Sequence, residues 1–141
     1  MGKIAVIYWS GTGNTAAMAE EIAKGINENG SEADLFSVDA FSGSISDYEK
    51  IAFGCPSMGD EVLEESEFEP FFEKIENSLG GKKVVLFGSY GWGDGQWMRD
   101  WQERVESKGA NLFSEGLIAN SFPDASAKEK CYTLGKGFVA F

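Results

Sequence analysis

Three short segments of the chain are apolar at every position instead of alternating with polar residues. They cover residues 4–8, 51–54 and 84–88. Strands that are covered on both faces of a parallel sheet have this continuous pattern. Two other segments are more polar than these three, as is typical of strands at the edges of a sheet. They are residues 33–38 and the region around 112–113 and 117–119. We therefore expect three central strands and two edge strands.

Four helical patterns alternate with these strands. The residues that share one helix face are Met18, Ile22, Ala23 and Ile26; Phe68, Phe71, Phe72, Ile75 and Leu79; Met98, Trp101 and Val105; and Ala127, Cys131, Leu134 and Phe138. Gly135 and Gly137 weaken the last pattern by about 1 kcal/mol each. The second helix is expected to begin at a capping box of Ser66 and Glu69, or at a Glu69 cap before Pro70.

Strands that alternate with helices predict an α/β fold. The polar edges favour a doubly wound five-stranded parallel sheet in the order 2-1-3-4-5, with helices on both faces. A chain of 141 residues with 43% apolar content has the size and the core of one domain, so we expect a single domain over residues 1–141. In this strand order a ligand crevice lies beyond the carboxyl ends of the first and third strands.

Charge and residue types exclude several classes of function. The chain has 23 acidic and 12 basic residues, a formal charge of −11, which argues against nucleic acid and anionic membranes and favours basic partners. It has no histidine, which excludes His-dependent nucleophilic catalysis and His-containing zinc sites. Cys55 and Cys131 lack metal-ligand spacing and are expected to be buried and reduced. The chain has no leader and no apolar run of about 18 residues, which predicts a cytoplasmic protein.

The segment from Trp9 to Thr15 lies between the first strand and the first helix. Its glycines allow a close backbone approach, the helix N-terminus offers amides with partial positive charge, and Ser10, Thr12 and Thr15 add hydroxyl donors. This combination is typical of a binding site for a phosphate monoester. No Lys or Arg occurs in the segment, whereas phosphoryl transfer needs a cation and a metal at the phosphates. We therefore expect the loop to hold a phosphate and not to transfer it.

Two further loops, residues 55–61 and 89–95, are expected at the same crevice. The second contains Tyr90 and Trp92 among glycines, and a flat aromatic ligand stacked between Met58 and Trp92 would explain these exposed side chains. The alternative is that Trp92 packs on a neighbouring helix and Met58 fills a gap in the core. Gly59 could form a peptide that reorients when a ligand changes state, or simply a tight turn.

Three segments carry a resemblance to a known family. They are residues 8–15 (Tyr-Trp-Ser-Gly-Thr-Gly-Asn-Thr), residues 58–71, which begin Met-Gly-Asp-Glu, and residues 86–95, which include Ser-Tyr-Gly-Trp-Gly-Asp-Gly. With them, nearly the whole chain closely resembles the short-chain flavodoxins, particularly those of clostridia and related anaerobes. Only residues 114–116 separate the two halves of the last strand region, so the insertion of long-chain relatives is missing. The expected fold is therefore flavodoxin-like.

The resemblance implies FMN as the cofactor. The residues that would bind its 5′-phosphate are Ser10, Gly11, Thr12, Gly13, Asn14, Thr15 and Ser57. Met58 and Trp92 would cover the inner and outer faces of the isoalloxazine ring. Backbone groups of Ser89, Tyr90 and Gly91 would contact its pyrimidine edge.

The resemblance also implies roles for the turn after Met58. The Gly59 carbonyl would turn toward flavin N5–H in the semiquinone, and the Asp60 amide would meet N5 in the oxidised state. The Glu61 carboxylate would accept a hydrogen bond from N3–H. No catalytic residue and no metal are implied.

The function implied is an electron carrier without its own substrate, which shuttles single electrons at low potential between semiquinone and hydroquinone. Eight acidic residues and one basic residue lie between Asp60 and Glu76, and they would steer basic redox proteins to the flavin. The carrier is expected to be a monomer. One alternative is a small NAD(P)- or flavin-dependent oxidoreductase, because Gly11-x-Gly13-x-x-Ala16 and Asp39 fit a loose dinucleotide pattern. A phosphoryl-accepting receiver module would share this topology, but this chain lacks the acidic pocket that such a module needs.

Overall fold

The computed structural model describes residues 3–141, so Met1 and Gly2 of the predicted domain lie outside the described residues. The strands are β1 (Lys3–Tyr8), β2 (Glu32–Ser37), β3 (Lys50–Gly54), β4 (Lys83–Tyr90), β5 (Asn111–Leu112) and β6 (Leu117–Asn120). The helices are α1 (Asn14–Asn27), α2 (Phe68–Ile75), α3 (Gln96–Ser107) and α4 (Ala125–Ala140). None of the helices in residues 3–141 is long and apolar enough to cross a membrane.

The strands form one parallel sheet in the order β2-β1-β3-β4-β5, which confirms the predicted order. The fifth position is divided between two short strands. Lys83 and Val84 pair with β5, whereas residues 87–90 pair with β6. The four residues between β5 and β6 interrupt the edge, as the two separate apolar segments in the sequence suggested.

Apolar cores lie on both faces of the sheet, as predicted. On one face, buried side chains of β1, β3 and β4 pack with Phe68, Phe72 and Trp101 of α2 and α3. On the other face, α1 and α4 contribute Met18, Ile22, Cys131 and Phe138. Successive residues of a strand point to opposite faces of the sheet. Because both faces are covered, the central strands have to be apolar throughout.

Helices α1 and α4 approach each other closely at two glycines. A Cβ atom at Gly135 would lie 2.2 Å from the carbonyl oxygen of Ile22, and one at Gly25 would lie 2.2 Å from that of Tyr132. Both distances are far below contact distance. Gly135, one of the two glycines that weaken the helical pattern of α4, is therefore required for the packing of α4 against α1.

The predicted start of α2 is wrong. The helix begins at Phe68, and Glu64, which lies four residues earlier, accepts hydrogen bonds from the amides of Ser66, Glu67 and Phe68 at 2.8 Å each. Burial alone would raise the pKa of Glu64, but these amide bonds outweigh it and hold the pKa below its ordinary value of 4.5. A side chain outside the helix thus caps it, because the turn before α2 folds back over its first amides.

Candidate functional site

The loop between β1 and α1 is organised around Ser10. Its Oγ accepts hydrogen bonds from the amides of Gly13 (3.1 Å) and Ala16 (3.2 Å). Gly13 precedes the helix with φ 96°, a left-handed conformation that favours glycine. Since Ser10 acts as the acceptor in both bonds, its own hydroxyl proton is left to donate to a ligand.

Several donors of this loop have no partner within residues 3–141. They are the amides of residues 11, 12, 14 and 15 and the side chains of Thr12 and Asn14. Amides at the start of a helix cannot bond within the helix and carry its partial positive charge. The loop therefore presents uncharged donors in a form suited to one phosphate group.

Thr15 ties this loop to the sheet. Its Oγ1 lies 2.9 Å from the Oγ of Ser89 at the end of β4, and both residues are buried. The amide of Ser89 also points to Thr15 Oγ1 at 3.4 Å. Thr15 and Ser89 therefore contribute to the site by fixing the helix start against the strand end.

A cleft of about 220 Å³ opens beside the loop. The predicted residues that line it are Gly11, Thr12, Asn14, Ser57, Met58, Ser89, Tyr90 and Gly91. They come from the loops after β1, β3 and β4, which the strand order brings to one edge of the sheet. The predicted residues that do not line it are Ser10, Gly13, Thr15, Gly59, Asp60, Glu61 and Trp92, of which Ser10 and Gly13 line a neighbouring cavity.

Trp9 and Pro56 also line this cleft; they lie in loops expected at the site but were not assigned a contact, and Ser121, outside those loops, lines it as well. Ser121 follows β6, has φ 58°, and donates its amide hydrogen bond to the Tyr90 carbonyl at 2.8 Å. The carboxyl end of the last strand lies at the same sheet edge as the other loops. The predicted strand order alone could therefore have pointed to the residues after β6.

Met58 and Trp92 are exposed. Trp92 is 63% exposed and Met58 is 38% exposed, while Tyr90 packs on Trp97 with ring centroids 5.8 Å apart. The alternative in which Trp92 packs on a helix and Met58 fills the core is therefore wrong. Met58 lines the cleft and Trp92 follows its lining residue Gly91, so two exposed apolar side chains are available to a flat ring bound there.

The turn after Met58 is tight. Met58 and Val62 exchange two backbone hydrogen bonds of 2.8 and 2.9 Å, which leaves Gly59, Asp60 and Glu61 as the connecting residues. Gly59 has φ 53° and Glu61 has φ 57°. A left-handed Glu is strained, so its side chain must be held by other contacts.

Glu61 provides such contacts. Its Oε1 accepts hydrogen bonds from the amides of Gly95 (3.2 Å) and Gln96 (2.9 Å) at the start of α3. The second oxygen, Oε2, has no partner within residues 3–141 and stays available as an acceptor. One carboxylate thus connects the turn after Met58 with the loop that carries Trp92.

Five of the eight acidic side chains between residues 60 and 76 bond to other groups of the chain. Glu61 and Glu64 cap helices, Glu67 accepts from the indole of Trp9, and Glu69 and Glu76 both bind Arg104. Asp60, Glu65 and Glu73 are exposed and make no hydrogen bond or ion pair within residues 3–141. Fewer of these acidic side chains are thus free to bind a partner than the sequence suggests.

Both cysteines are free and buried, as predicted. Burial raises the pKa of the Cys55 thiol strongly and that of Cys131 to about 12. Both thiols are therefore protonated near neutral pH and are poor nucleophiles. No cluster of His, Cys, Asp or Glu within the described part of the chain is suited to hold a metal ion.

Comparison with known proteins assigns the family. The flavodoxin family model matches residues 6–135. The chain belongs to the flavodoxin family. It is 51% identical to a flavodoxin of Clostridium beijerinckii over 132 residues, which are 93% of this chain and 95% of the relative. It is 44% identical to a flavodoxin of Megasphaera elsdenii over 136 residues, 94% of this chain and 96% of the relative.

The fold agrees with this assignment. The solution structure of two-electron reduced flavodoxin from Megasphaera elsdenii superposes with a TM-score of 0.87 and 40% sequence identity, and the match covers 98% of this chain and 99% of the other. Flavodoxins bind FMN and carry electrons to and from redox partner proteins without turning over a substrate of their own. Membership of the family thus confirms the predicted cofactor and the prediction of a carrier.

Proposed function

We propose that this chain holds FMN in the cleft beside Trp9 and transfers single electrons at low potential, between the semiquinone and hydroquinone states of the cofactor. The observation that supports this most directly is the arrangement of the cleft. Gly11, Thr12 and Asn14, which offer uncharged donors without partners, line the cleft together with Met58, and the exposed Trp92 directly follows the lining residue Gly91. FMN has the matching groups, a phosphate at one end and a flat ring at the other.

The phosphate end uses residues 10–15 and Ser57. The Ser10 hydroxyl, the amides at the start of α1, and the side chains of Thr12 and Asn14 can all donate to phosphate oxygens. The Ser57 amide already donates to the Ser89 carbonyl at 3.0 Å, whereas its hydroxyl has no partner within residues 3–141. Gly11 contributes a free amide, and Gly13, whose amide already donates to Ser10 Oγ, contributes the left-handed backbone turn before α1.

The ring end uses the loops after β3 and β4. Met58 and Trp92 would cover opposite faces, and the turn of Gly59, Asp60 and Glu61 would lie along the ring edge. Glu61 Oε2 can accept from N3–H while Oε1 keeps its bonds to α3. The carbonyls of Ser89 and Tyr90 each already accept one backbone hydrogen bond, from Ser57 and Ser121, whereas Gly91 has no backbone partner within residues 3–141, so its backbone groups are free for the pyrimidine edge.

Electrostatics support a low potential for the second electron. No Lys or Arg lines the cleft within the described residues, and the formal charge of the whole chain is −11. A second electron adds negative charge beside a phosphate that no cation neutralises, in a partly desolvated site. A preference of about 1.4 kcal/mol between redox states changes a one-electron potential by about 59 mV. Modest electrostatic repulsion therefore lowers the potential of the second reduction step by a measurable amount.

The spectrum of the purified protein tests the proposal. We expect a yellow protein that releases one FMN per chain and turns blue on partial reduction, as a neutral semiquinone accumulates. A redox titration should give two separated one-electron steps. A colourless protein that takes up no FMN but binds NADH in calorimetry would contradict the proposal and favour a dinucleotide-dependent oxidoreductase.

The acidic rim is proposed to attract basic redox proteins. Asp60 lies in the turn after Met58, Glu65 lies before α2 and Glu73 lies on α2, and all three carboxylates are exposed and unpaired within residues 3–141. Such charges speed encounter with a basic protein and lose their effect at high salt. We expect the triple variant Asp60→Asn, Glu65→Gln, Glu73→Gln to reduce a basic c-type cytochrome more slowly and with a weaker salt dependence. Glu20→Gln, on the exposed side of α1, is the control with unchanged rates.

A monomeric state and a cytoplasmic location complete the proposal. Sedimentation of the FMN-loaded protein at several concentrations should give one species with the mass of a single chain. Cell fractionation checks the location, and recovery in the extracellular or membrane fraction would contradict it.

A further inference from the structure

Trp9 lies between two cavities. One is the proposed FMN cleft of about 220 Å³, and the other, of about 320 Å³, lies on the β2 side of the phosphate loop. Residues of the loop divide between them, because Gly11, Thr12 and Asn14 line the cleft whereas Ser10 and Gly13 line the second cavity. Trp9 lines both, so its side chain forms part of the wall between them.

The Trp9 ring is held in place from two sides. Its Nε1–H donates to Glu67 Oε1 at 2.9 Å. On the loop side, a Cβ atom at Gly11 would lie 3.0 Å from Trp9 Cη2, so the ring covers the backbone of Gly11. A side chain fixed by one hydrogen bond and by contact with the loop can act as a wall.

The second cavity has features of a nucleotide subsite. Ser37 and Asp39, at the end of β2, line it, and the Ser37 hydroxyl donates to Asp39 Oδ1 at 2.6 Å. In dinucleotide-binding α/β folds a carboxylate after the second strand binds a ribose, and the phosphate loop leads to it. The loose pattern Gly11-x-Gly13-x-x-Ala16 belongs to the same arrangement. This chain therefore has space where the second half of a dinucleotide would lie.

We propose that Trp9, held by Glu67, is a specificity-determining residue that restricts the cofactor to a flavin monophosphate and excludes FAD. The inference rests on the proposed function. An adenylate attached to the 5′-phosphate would have to pass the position of the Trp9 ring to reach the second cavity. The carboxylates of Glu67 and Asp39 line that cavity and repel a second phosphate. The Trp9 ring and the two carboxylates would both weaken the binding of FAD relative to that of FMN.

The experiment compares the affinity of the apoprotein for FMN and FAD, measured by quenching of flavin fluorescence. For the unaltered chain we expect FMN to bind at least 100-fold more tightly than FAD. Trp9→Ala removes the wall and should narrow this ratio at least tenfold, mainly by tightening FAD. Trp9→Phe is the matched control, because it keeps a ring at the wall and should narrow the ratio less than threefold.

A second variant keeps the test decisive if Trp9→Ala does not fold by far-UV circular dichroism. Glu67→Gln combined with Asp39→Asn removes two charges at exposed positions, and it should raise the affinity for FAD relative to that for FMN at least threefold. A ratio that stays within twofold of the unaltered chain in the folded variants would overturn the role of Trp9. Equal affinity of the unaltered chain for both flavins would also overturn it. Failure of the unaltered chain to bind FMN would instead refute the proposed function.

Discussion

The hydroxyl groups of Thr15 and Ser89 lie 2.9 Å apart in the interior, although 74 residues separate them along the chain. This contact joins the first turn of α1 to the end of β4, and so it connects the two elements that carry the phosphate loop and the Tyr90–Trp92 loop. No other partner is available to either hydroxyl within residues 3–141 except the Ser89 amide at 3.4 Å from Thr15 Oγ1. The contact fixes the spacing between the two ends of the proposed FMN site.

Replacing Thr15 with Val tests this contact. The variant keeps the shape of the side chain but leaves the Ser89 hydroxyl buried without its partner, which costs about 1–3 kcal/mol. We expect the free energy of unfolding of the apoprotein to fall by this amount and FMN to bind more weakly. Thr15→Ser keeps the hydroxyl and is the control. Urea unfolding and flavin titration measure both effects, and full stability of Thr15→Val would contradict the assignment.

Gly59→Val tests the turn that would face flavin N5. Gly59 has φ 53°, and a Cβ atom there would meet nothing within 4 Å, so the substitution acts through backbone strain and not through a clash. A β-branched residue at positive φ costs about 1–3 kcal/mol. We expect the semiquinone to be destabilised selectively, which would lower its yield in a redox titration.

A control for Gly59→Val lies far along the chain. Gly81 has φ 79° with nothing within 4 Å of its Cβ position, and it precedes β4 at the opposite end of the strand from the cleft. Gly81→Val should therefore reduce stability without changing either potential. An unchanged semiquinone yield in Gly59→Val, or an equal change in both variants, would count against a redox role for the turn.

Glu61→Ala tests the link between the turn and α3. Gly95 precedes α3 and offers no side-chain cap, so the carboxylate of Glu61 caps this helix from a distant loop. Loss of a cap costs about 0.5–2 kcal/mol. We expect this loss in the apoprotein, together with faster amide hydrogen exchange at Gln96. The exposed Glu65→Ala should change neither, and slow exchange at Gln96 in Glu61→Ala would contradict the assignment.

Arg104 joins α2 to α3 through two carboxylates. It donates to Glu69 at 2.7 and 2.9 Å and to Glu76 at 2.8 and 3.1 Å, and these bonds hold the pKa of Glu76 below its ordinary value of 4.5. Because the pKa is lowered by folding, the stabilisation is complete above about pH 4.5 and is lost as the pH falls through the folded-state pKa. The three side chains are partly exposed, so solvent screening limits the gain to about 1–2 kcal/mol.

Arg104→Met is the corresponding variant. It should lower the free energy of unfolding at pH 7 by about 1–2 kcal/mol, while the difference from the unaltered chain should shrink as the pH falls through the lowered folded-state pKa of Glu76. Urea unfolding at several pH values measures this. A difference that is constant between pH 7 and pH 3 would show that lost packing over Phe72, and not the ion pairs, is responsible.

Gly135→Ala separates helix propensity from packing. Propensity alone predicts a gain of about 1 kcal/mol in α4. The structure predicts a loss, because the added Cβ would lie 2.2 Å from the backbone oxygen of Ile22, and overpacking costs about 1–3 kcal/mol. At Gly137, in the same helix, the added Cβ would lie 2.9 Å from the end of the Phe113 ring, which can move. Gly137→Ala should therefore be clearly less destabilising in thermal unfolding.

The sequence predicted the strands, the helix faces and the strand order because these depend on local periodicity. Residues 84–88 are apolar throughout since both faces of β4 are covered, and the pattern is visible without any knowledge of neighbours. The start of α2 was not predictable in this way. Its cap is Glu64, a side chain outside the expected cap positions, and the fold of the preceding turn brings it there.

The sequence by itself determined the chemistry that the chain can offer: uncharged donors without cations in residues 10–15, no histidine, and an excess of acids. Only the tertiary structure decided which of these groups are free. It bonded Glu61 and Glu67 to distant segments and Glu64 to the amides at the start of α2. It also left Met58 and Trp92 exposed and placed Trp9 between two cavities. The physical reason is that a hydrogen bond or a contact depends on distance in space, and distant segments acquire that distance only when the sheet brings their loops to one edge.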